Sequence, residues 1–155
     1  MDKELIHVGC DALDVAFDAQ ISPELSAMLR SKQTLAREMG EDALVSLNGL
    51  DFHIGRGGKG AGGYAFTCNT GPTGEIWWFK DFRANAKPGE TWGVFVSVSA
   101  VRCQMQGIVK VREHLIERLS VFGIQYQVGL ESINRVDIAI DMRLSSFVLD
   151  NDRFV

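Results

Sequence analysis

The sequence of 155 residues lacks a long apolar segment and has no strong excess of positive charge. Its longest apolar run is far shorter than the roughly 20 residues that a membrane-spanning helix needs. Residues 1–4 are not the start of a basic and then apolar secretion signal, so we expect a cytoplasmic protein. The net charge of −4 weighs against a protein that coats nucleic acid through bulk electrostatics, although a local basic surface stays compatible with it.

Cysteine and histidine are also scarce, which excludes the common metal motifs built from them. Cys10, Cys68 and Cys103 are odd in number and form no CxxC pair, so reduced, buried thiols are expected in place of disulfides or a zinc site. The histidines occur singly, and we interpret His53 and His114 as structural. Any metal site in this chain would have to be built mainly from carboxylates.

Two segments, residues 13–18 and 136–141, repeat one pattern in which apolar residues alternate with Asp, Ala and Asp. On a strand this spacing puts the acidic side chains on one face and the large apolar ones on the other. The aspartates are Asp14, Asp18, Asp137 and Asp141. They are candidate ligands for a divalent cation, which takes oxygen ligands; the alternative is the solvated face of an ordinary strand.

The repeat also predicts how its two copies are arranged. We expect the two strands to lie side by side and to form one shared acidic row on a face of the sheet. In that arrangement Val136, Ile138 and Ile140 are buried beneath the row.

Two helices are predicted from capping residues and apolar spacing. Ser22 suits an N-cap, Pro23 the first helical position and Gly40 the C-terminus of a first helix. Apolar residues three and four apart predict a second helix over residues 108–122. Residues 41–48 are ambiguous and are compatible with a further helical segment.

Alternating or β-branched runs predict strands in the rest of the chain. These runs cover residues 11–19, 50–54, 64–69, 75–83, 92–98, 124–128 and 135–144. Turns rich in Gly and Pro between the middle runs predict an antiparallel meander. The expected fold is a single α+β domain with one mostly antiparallel sheet and two helices on one face, in the order strand, helix, meander, helix, strand.

A glycine-rich segment, residues 55–63, separates two of these predicted strands. It contains the spacing GxGxxG, but a dinucleotide-binding loop joins a strand to a helix, whereas this segment leads into a strand. We interpret it as a basic hairpin loop. Its Arg56 and Lys59 are candidate phosphate contacts, and a plain flexible turn is the alternative.

The segment WWFKDFR, residues 77–83, combines aromatic and basic side chains. Alternation places Trp77 and Trp78 on opposite faces, so one is expected in the core, and we assign Trp78 as a surface on which a base could stack. Lys80 and Arg83 are candidate DNA contacts beside it. Sheets bind single-stranded nucleic acid with such aromatic and basic neighbours, while burial of the whole aromatic cluster in the core is the alternative.

Residues 133–142, which read INRVDIAIDM, resemble the strand (T/S)R(I/V)DϕAϕD of the replication initiation factor (Rep_trans) family of rolling-circle plasmids, phages and conjugative elements. The segments LDVAFDA, WWFKDF and VFVSVSA and the glycine-rich stretch also follow in an order similar to that family. The resemblance implies an origin-binding DNA nickase, in which a tyrosine attacks a phosphodiester with the help of Mg²⁺ or Mn²⁺.

The resemblance also implies roles for three residues of this strand. Asp137 and Asp141 would be metal ligands or structural carboxylates, and Arg135 a phosphate contact or the partner of Asp137. In that family the nucleophilic tyrosine lies beyond this strand, and neither Tyr64 nor Tyr126 has a comparable context. We therefore expect either the N-terminal part of a longer protein or a shortened relative without the nucleophile.

Three functional hypotheses follow. The first is the DNA-binding part of a replication initiation protein, which does not nick DNA by itself. The second is a non-catalytic, ferredoxin-like module that binds single-stranded nucleic acid through a tryptophan and the glycine-rich loop. The third is an oligomerisation or partner-binding domain, such as a homodimer, whose open sheet face and edge are covered by another chain.

Overall fold

A computed structural model describes residues 3–87 and 91–144 of the chain. The elements are β1 (Lys3–Phe17), α1 (Pro23–Met39), β2 (Ala43–Leu47), β3 (Leu50–Ile54), β4 (Phe66–Asn69), β5 (Glu75–Phe79), β6 (Val94–Val98), α2 (Ala100–Val121) and β7 (Glu131–Leu144). The predicted α+β class, with one antiparallel sheet and two helices, is confirmed. None of the helices in the described ranges is long and apolar enough to cross a membrane.

The seven strands form one sheet in the order β2-β3-β4-β5-β6-β1-β7, and every neighbouring pair is antiparallel. Strands β2 to β6 follow one another as a meander, as their short turns predict. The first strand, β1, lies between β6 and β7, so the two segments with the repeated pattern are neighbours in the sheet. This neighbourhood was predicted from the repeat.

The ends of α1 follow from the capping residues in the sequence. The Ser22 hydroxyl accepts the Leu25 backbone N–H at 3.0 Å, Pro23 begins the helix, and Gly40 ends it in the left-handed conformation with φ of 76°. Helix α2 begins earlier than predicted, because Ser99 caps it and it continues through Gly107. At Gly107 the backbone leaves the helical region (φ 74°, ψ 162°), so α2 consists of two helical pieces joined at a kink.

One hydrophobic core is formed by the inward side chains of the sheet and by both helices. On β5 the alternation places Glu75, Trp77 and Phe79 inward, and all three are buried. Helix α1 adds residues such as Leu29, and α2 adds residues such as Leu115, to the same core. The side of the sheet that carries Trp78 and Phe95 is called the open face below.

Two sequence-based assignments were wrong. Residues 43–47, which were compatible with a helix, form β2, because Asn48 and Gly49 both adopt positive φ (49° and 81°) and close a tight hairpin to β3. Residues 124–128 were expected to form a strand but lie in the irregular segment before β7. The Ile124 side chain is buried there, so its apolar character reflects core packing without a strand.

The expected burial of Val136, Ile138 and Ile140 was also wrong. These side chains do alternate with the charged residues of β7, but they are exposed, and Ile138 keeps 66% of its surface accessible. They lie on the half of β7 that pairs with the start of β1, residues 3–13. Helix α2 packs on the later half of β1, where Leu13, Val15 and Phe17 are buried, and leaves the paired ends of the two strands uncovered.

Candidate nucleic-acid interface

Three aromatic rings meet on the open face of the sheet, where Tyr64 and Trp78 are half-buried and Phe95 is buried between them and the neighbouring side chains. Trp78 on β5 pairs with Phe95 on β6, and their ring centroids are 5.5 Å apart. The Tyr64 ring lies 5.9 Å from that of Phe95. Trp77, the neighbour of Trp78, is fully buried, so the division of the two tryptophans between the faces, predicted from alternation, is confirmed. The set of Tyr64, Trp78 and Phe95 is called the aromatic platform.

Two lysines contact the aromatic platform. The Lys59 ammonium lies 4.6 Å from the Trp78 centroid and 4.4 Å from the Phe95 centroid, which are cation–π distances. The Lys80 ammonium lies 5.4 Å from the centroid of Tyr64. Aromatic surface and positive charge are thus combined in one place, although Lys59 and Trp78 are 19 positions apart in the sequence.

The glycine-rich loop positions Lys59 over the rings. Lys59 and Tyr64 form an isolated antiparallel bridge, in which the Tyr64 N–H donates to the Lys59 carbonyl at 3.2 Å. A side chain at Gly58 would collide with the backbone of Tyr64 and Ala65, so the loop can fold this closely only with glycine there. The segment is therefore a folded hairpin loop, and Gly58 is required for the approach of Lys59 to the sheet.

The remaining predicted DNA contacts differ in how close they lie to this platform. Arg83 lines a shallow surface depression together with Lys80 and the glycines at 62 and 63. Arg56 stands exposed at the start of the same loop, and its carbonyl accepts a hydrogen bond from Arg37 Nε of α1 at 2.7 Å. Arg135 lies on the edge strand β7, which β1 separates from β6, and it is paired with Asp137, so it does not belong to the cluster.

The four aspartates do not form one acidic cluster. Antiparallel pairing of β1 with β7 places Leu13 opposite Val136, and from this point the two repeated segments run in opposite directions. As a result Asp14 faces Arg135, and Asp141 faces His7. Asp18 is further away and accepts a hydrogen bond from Thr91.

Asp137 is held by Arg135 on the same strand, whose Nε donates to both carboxylate oxygens at 3.1 Å. The hydrogen bond from Arg135 and its positive charge lower the pKa of the Asp137 carboxyl. In residues 3–87 and 91–144 no group of three or more Asp, Glu, His or Cys side chains is arranged to hold a metal ion. This geometry does not fit a shared Mg²⁺ or Mn²⁺ site made by the four aspartates.

A buried charged cluster was missed by sequence reasoning. Glu75, at the inward-facing start of β5, accepts hydrogen bonds from the Thr70 hydroxyl at 2.9 Å and from His114 Nε2 at 2.7 Å, and Arg102 Nε lies 3.0 Å away. Burial alone raises the pKa of Glu75, but these hydrogen bonds and the charges of His114 and Arg102 outweigh it and lower the pKa overall. The signal in the sequence was a glutamate at an inward position of an aromatic strand.

The two tyrosines have different surroundings. Burial raises the pKa of the Tyr64 hydroxyl. The Tyr126 hydroxyl donates to Glu131 Oε2 at 3.0 Å. The cysteines are free and buried, as expected, and burial raises the pKa of the Cys103 thiol to about 12, which keeps it protonated at neutral pH.

Comparison with known proteins adds no family assignment. The chain matches no family model, and neither a curated protein nor a solved structure gives a significant match. The functional argument therefore depends on the geometry of the aromatic platform and on its basic neighbours.

Proposed function

We propose that this chain binds single-stranded DNA on the open face of its sheet and does not cleave it. The observation that carries this proposal is the aromatic platform with Lys59 and Lys80 beside its rings. Bases of any sequence can stack on aromatic rings, and lysines neutralise the phosphates that connect them. The half-buried Trp78 has the mixed environment that such a contact requires, since one part of its ring is fixed and another part is accessible.

DNA is favoured over RNA by the resemblance of residues 133–142 to replication initiation factors. We infer that the domain serves as the DNA-binding part of a replication initiation protein in the cytoplasm, with nicking supplied only by a longer form that carries a nucleophilic tyrosine.

The test is a fluorescence titration with a Trp77→Phe/Trp92→Phe variant, in which Trp78 is the only tryptophan. The Trp77 indole N–H has no hydrogen-bond partner among the described residues, so phenylalanine loses no such bond. Addition of a single-stranded oligonucleotide at low salt should quench Trp78, and quenching should weaken as salt is raised. Unchanged fluorescence at low salt would contradict the proposal.

Replacement of Trp78 by alanine in the native chain should reduce oligonucleotide affinity by about 1–3 kcal/mol, which is typical of a stacked base. Trp92→Ala is the matched control, because Trp92 lies outside the platform. Incubation of supercoiled plasmid with the native chain and Mg²⁺ or Mn²⁺ should produce no nicks. Metal-dependent nicking that is lost in Asp137→Ala would show that the chain is a nuclease.

A further inference from the structure

The outer edge of β7 is an unoccupied strand edge within the described part of the chain. β7 has 14 residues and is the last strand of the sheet, with β1 on its inner side. No strand in residues 3–87 or 91–144 pairs with its outer side. A long strand edge of this kind presents backbone N–H and C=O groups that can pair with another strand, and natural proteins normally cover or block it.

One face of β7 is apolar and exposed, and pairing at the strand edge would join it to the same face of a second copy. Val136, Ile138, Ile140 and Met142 follow one another on this face, and all are exposed. Leu5 and Val8 of β1, which pair with Met142 and Ile140, extend the same exposed surface. Contiguous exposed apolar surface is a feature of interaction sites.

The charges on the opposite face of β7 identify the partner. The residues on that face are Arg135, Asp137, Ala139, Asp141 and Arg143. Their order of charges is the same in both directions from Ala139. Two antiparallel copies of such a strand are related by a two-fold axis, so each contact occurs twice. An axis at Ala139 would place like charges opposite each other, whereas an axis at Ile138 places Arg135 opposite Asp141 of the second copy, twice.

Existing ion pairs favour the axis at Ile138 over one at Ile140. An axis at Ile140 would bring Arg143, which already lies 3.4 Å from Glu4, opposite Asp137, which Arg135 already binds, and would leave Asp141 opposite Ala139. The axis at Ile138 places Arg135 between Asp137 of its own strand and Asp141 of the second copy. Within the described residues Asp141 has no ion-pair partner, and the axis at Ile138 supplies one. The same axis places Asp137 opposite the small, neutral Ala139, so no like charges meet.

We propose that β7 pairs antiparallel with β7 of a second copy about a two-fold axis at Ile138, joining two sheets into one. On the apolar face this register places Val136 opposite Ile140 and Ile138 opposite its own equivalent. Such β-branched cross-strand pairs stabilise antiparallel sheets. The axis is perpendicular to the sheet, so both copies present their open faces on the same side. The pairing does not depend on the proposed DNA binding.

Cysteine cross-linking tests both the dimer and its register. The variants are built in a Cys10→Ala background, because Cys10 pairs with Ile138 within one chain and would compete for a new thiol. Under mild oxidation Ile138→Cys should give at least about tenfold more covalent dimer than Ile140→Cys. Two cysteines at 140 would be four residues apart along the paired strands, roughly 13 Å, which a disulfide cannot span.

Sedimentation of the native chain should show a concentration-dependent dimer. Asp141→Arg should weaken the dimer about tenfold, since it places two cations opposite each other, and the added Arg135→Asp change should recover most of that loss. If the native chain sediments as a monomer at every protein concentration up to roughly 100 µM, the proposal is overturned. It is also overturned by equal cross-linking of the two cysteine variants, preferential cross-linking at 140, or no recovery in the charge-swapped double variant.

Discussion

The body of the sheet and the β1–β7 ribbon obey the same alternation of side chains but differ in what covers them. We define the body as β3 to β6, and the ribbon as residues 3–13 of β1 paired with residues 136–144 of β7. In the body the inward residues are buried in the core, as Trp77 and Phe79 are. In the ribbon the equivalent positions of β7 are exposed, as Ile138 is, although its neighbour Cys10 on β1 is buried. Alternation therefore determines which face a residue occupies, while burial depends on whether another element packs on that face.

The largest effect is expected from the buried carboxylate of the body. Glu75→Ala removes a fully buried carboxylate and leaves the half-buried Arg102 and His114 without their partner. It should lower the free energy of unfolding by about 3–5 kcal/mol. Glu131→Ala on β7 removes a partly exposed carboxylate that is bound by Arg112 and Tyr126, and should cost only about 1 kcal/mol. Urea denaturation at neutral pH measures both. Equal losses would contradict the burial of the Glu75 cluster.

The lowered pKa of Glu75 also gives this effect a pH dependence. Because the folded-state pKa lies below the ordinary value of 4.5, the stabilisation is fully present above about pH 4.5 and is lost as the pH falls through the folded-state pKa. Glu75→Gln should therefore flatten the acid limb of the stability profile, measured by urea denaturation from about pH 2 to 7. An unchanged acid limb in Glu75→Gln would show that other carboxyls cause the loss.

A matched pair of isoleucines separates the two regions more directly. Ile54 in the body is completely buried, and Ile54→Ala should cost about 2–5 kcal/mol through lost burial and a new cavity. Ile138→Ala in the ribbon should cost less than about 1 kcal/mol in dilute protein. Denaturation of both variants at low protein concentration, where the proposed dimer dissociates, gives the comparison. A large loss for Ile138→Ala under these conditions would mean that the ribbon is covered within one chain.

A smaller effect is expected from the lysines at the aromatic platform. Lys59→Ala and Lys80→Ala should each weaken oligonucleotide binding and reduce the slope of log affinity against log salt by about 0.7, the value for one phosphate contact to a single strand. Lys110→Ala is the control, since Lys110 lies exposed on α2. If Lys110→Ala changes the slope as much as the platform variants do, the interface lies elsewhere.

The smallest effect concerns the aspartates of the ribbon. Asp137→Asn should leave the melting temperature unchanged, because an exposed Arg–Asp pair contributes little to stability. Addition of Mg²⁺ or of EDTA should not shift the melting temperature of the native chain either, since the four aspartates are dispersed along β1 and β7. A clear Mg²⁺-dependent shift that disappears in Asp137→Asn would instead support the divalent-cation hypothesis.

Much of the local structure was predictable, because it depends on residues close together in the sequence. Ser22, Pro23 and Gly40 define α1, and the alternation of β5 separates Trp77 from Trp78. The predicted strand over residues 135–144 lies within β7. The error at residues 43–47 was also local, since the Asn48–Gly49 turn was present in the sequence as a hairpin signal and was not used.

The candidate site was predictable only in part. Trp78, Lys59 and Lys80 were proposed separately from charge and aromatic content, but their contact depends on how the glycine-rich loop folds over β5 and β6. Tyr64 and Phe95 were not identified as members of the platform, because strand pairing, and not sequence proximity, brings them to Trp78. The same reason explains why the partners of Glu75 were missed.

The sequence by itself determined most of the secondary structure, the antiparallel meander and the face that most strand residues occupy, since caps, turns and alternation act over a few residues. Only the tertiary structure decided the register of β1 with β7, which disperses the aspartates, and the reach of α2, which leaves Val136, Ile138 and Ile140 exposed. It also decided the meeting of Lys59 with Trp78. These features depend on contacts between residues far apart in the chain, where the position of one element relative to another fixes both burial and charge pairing.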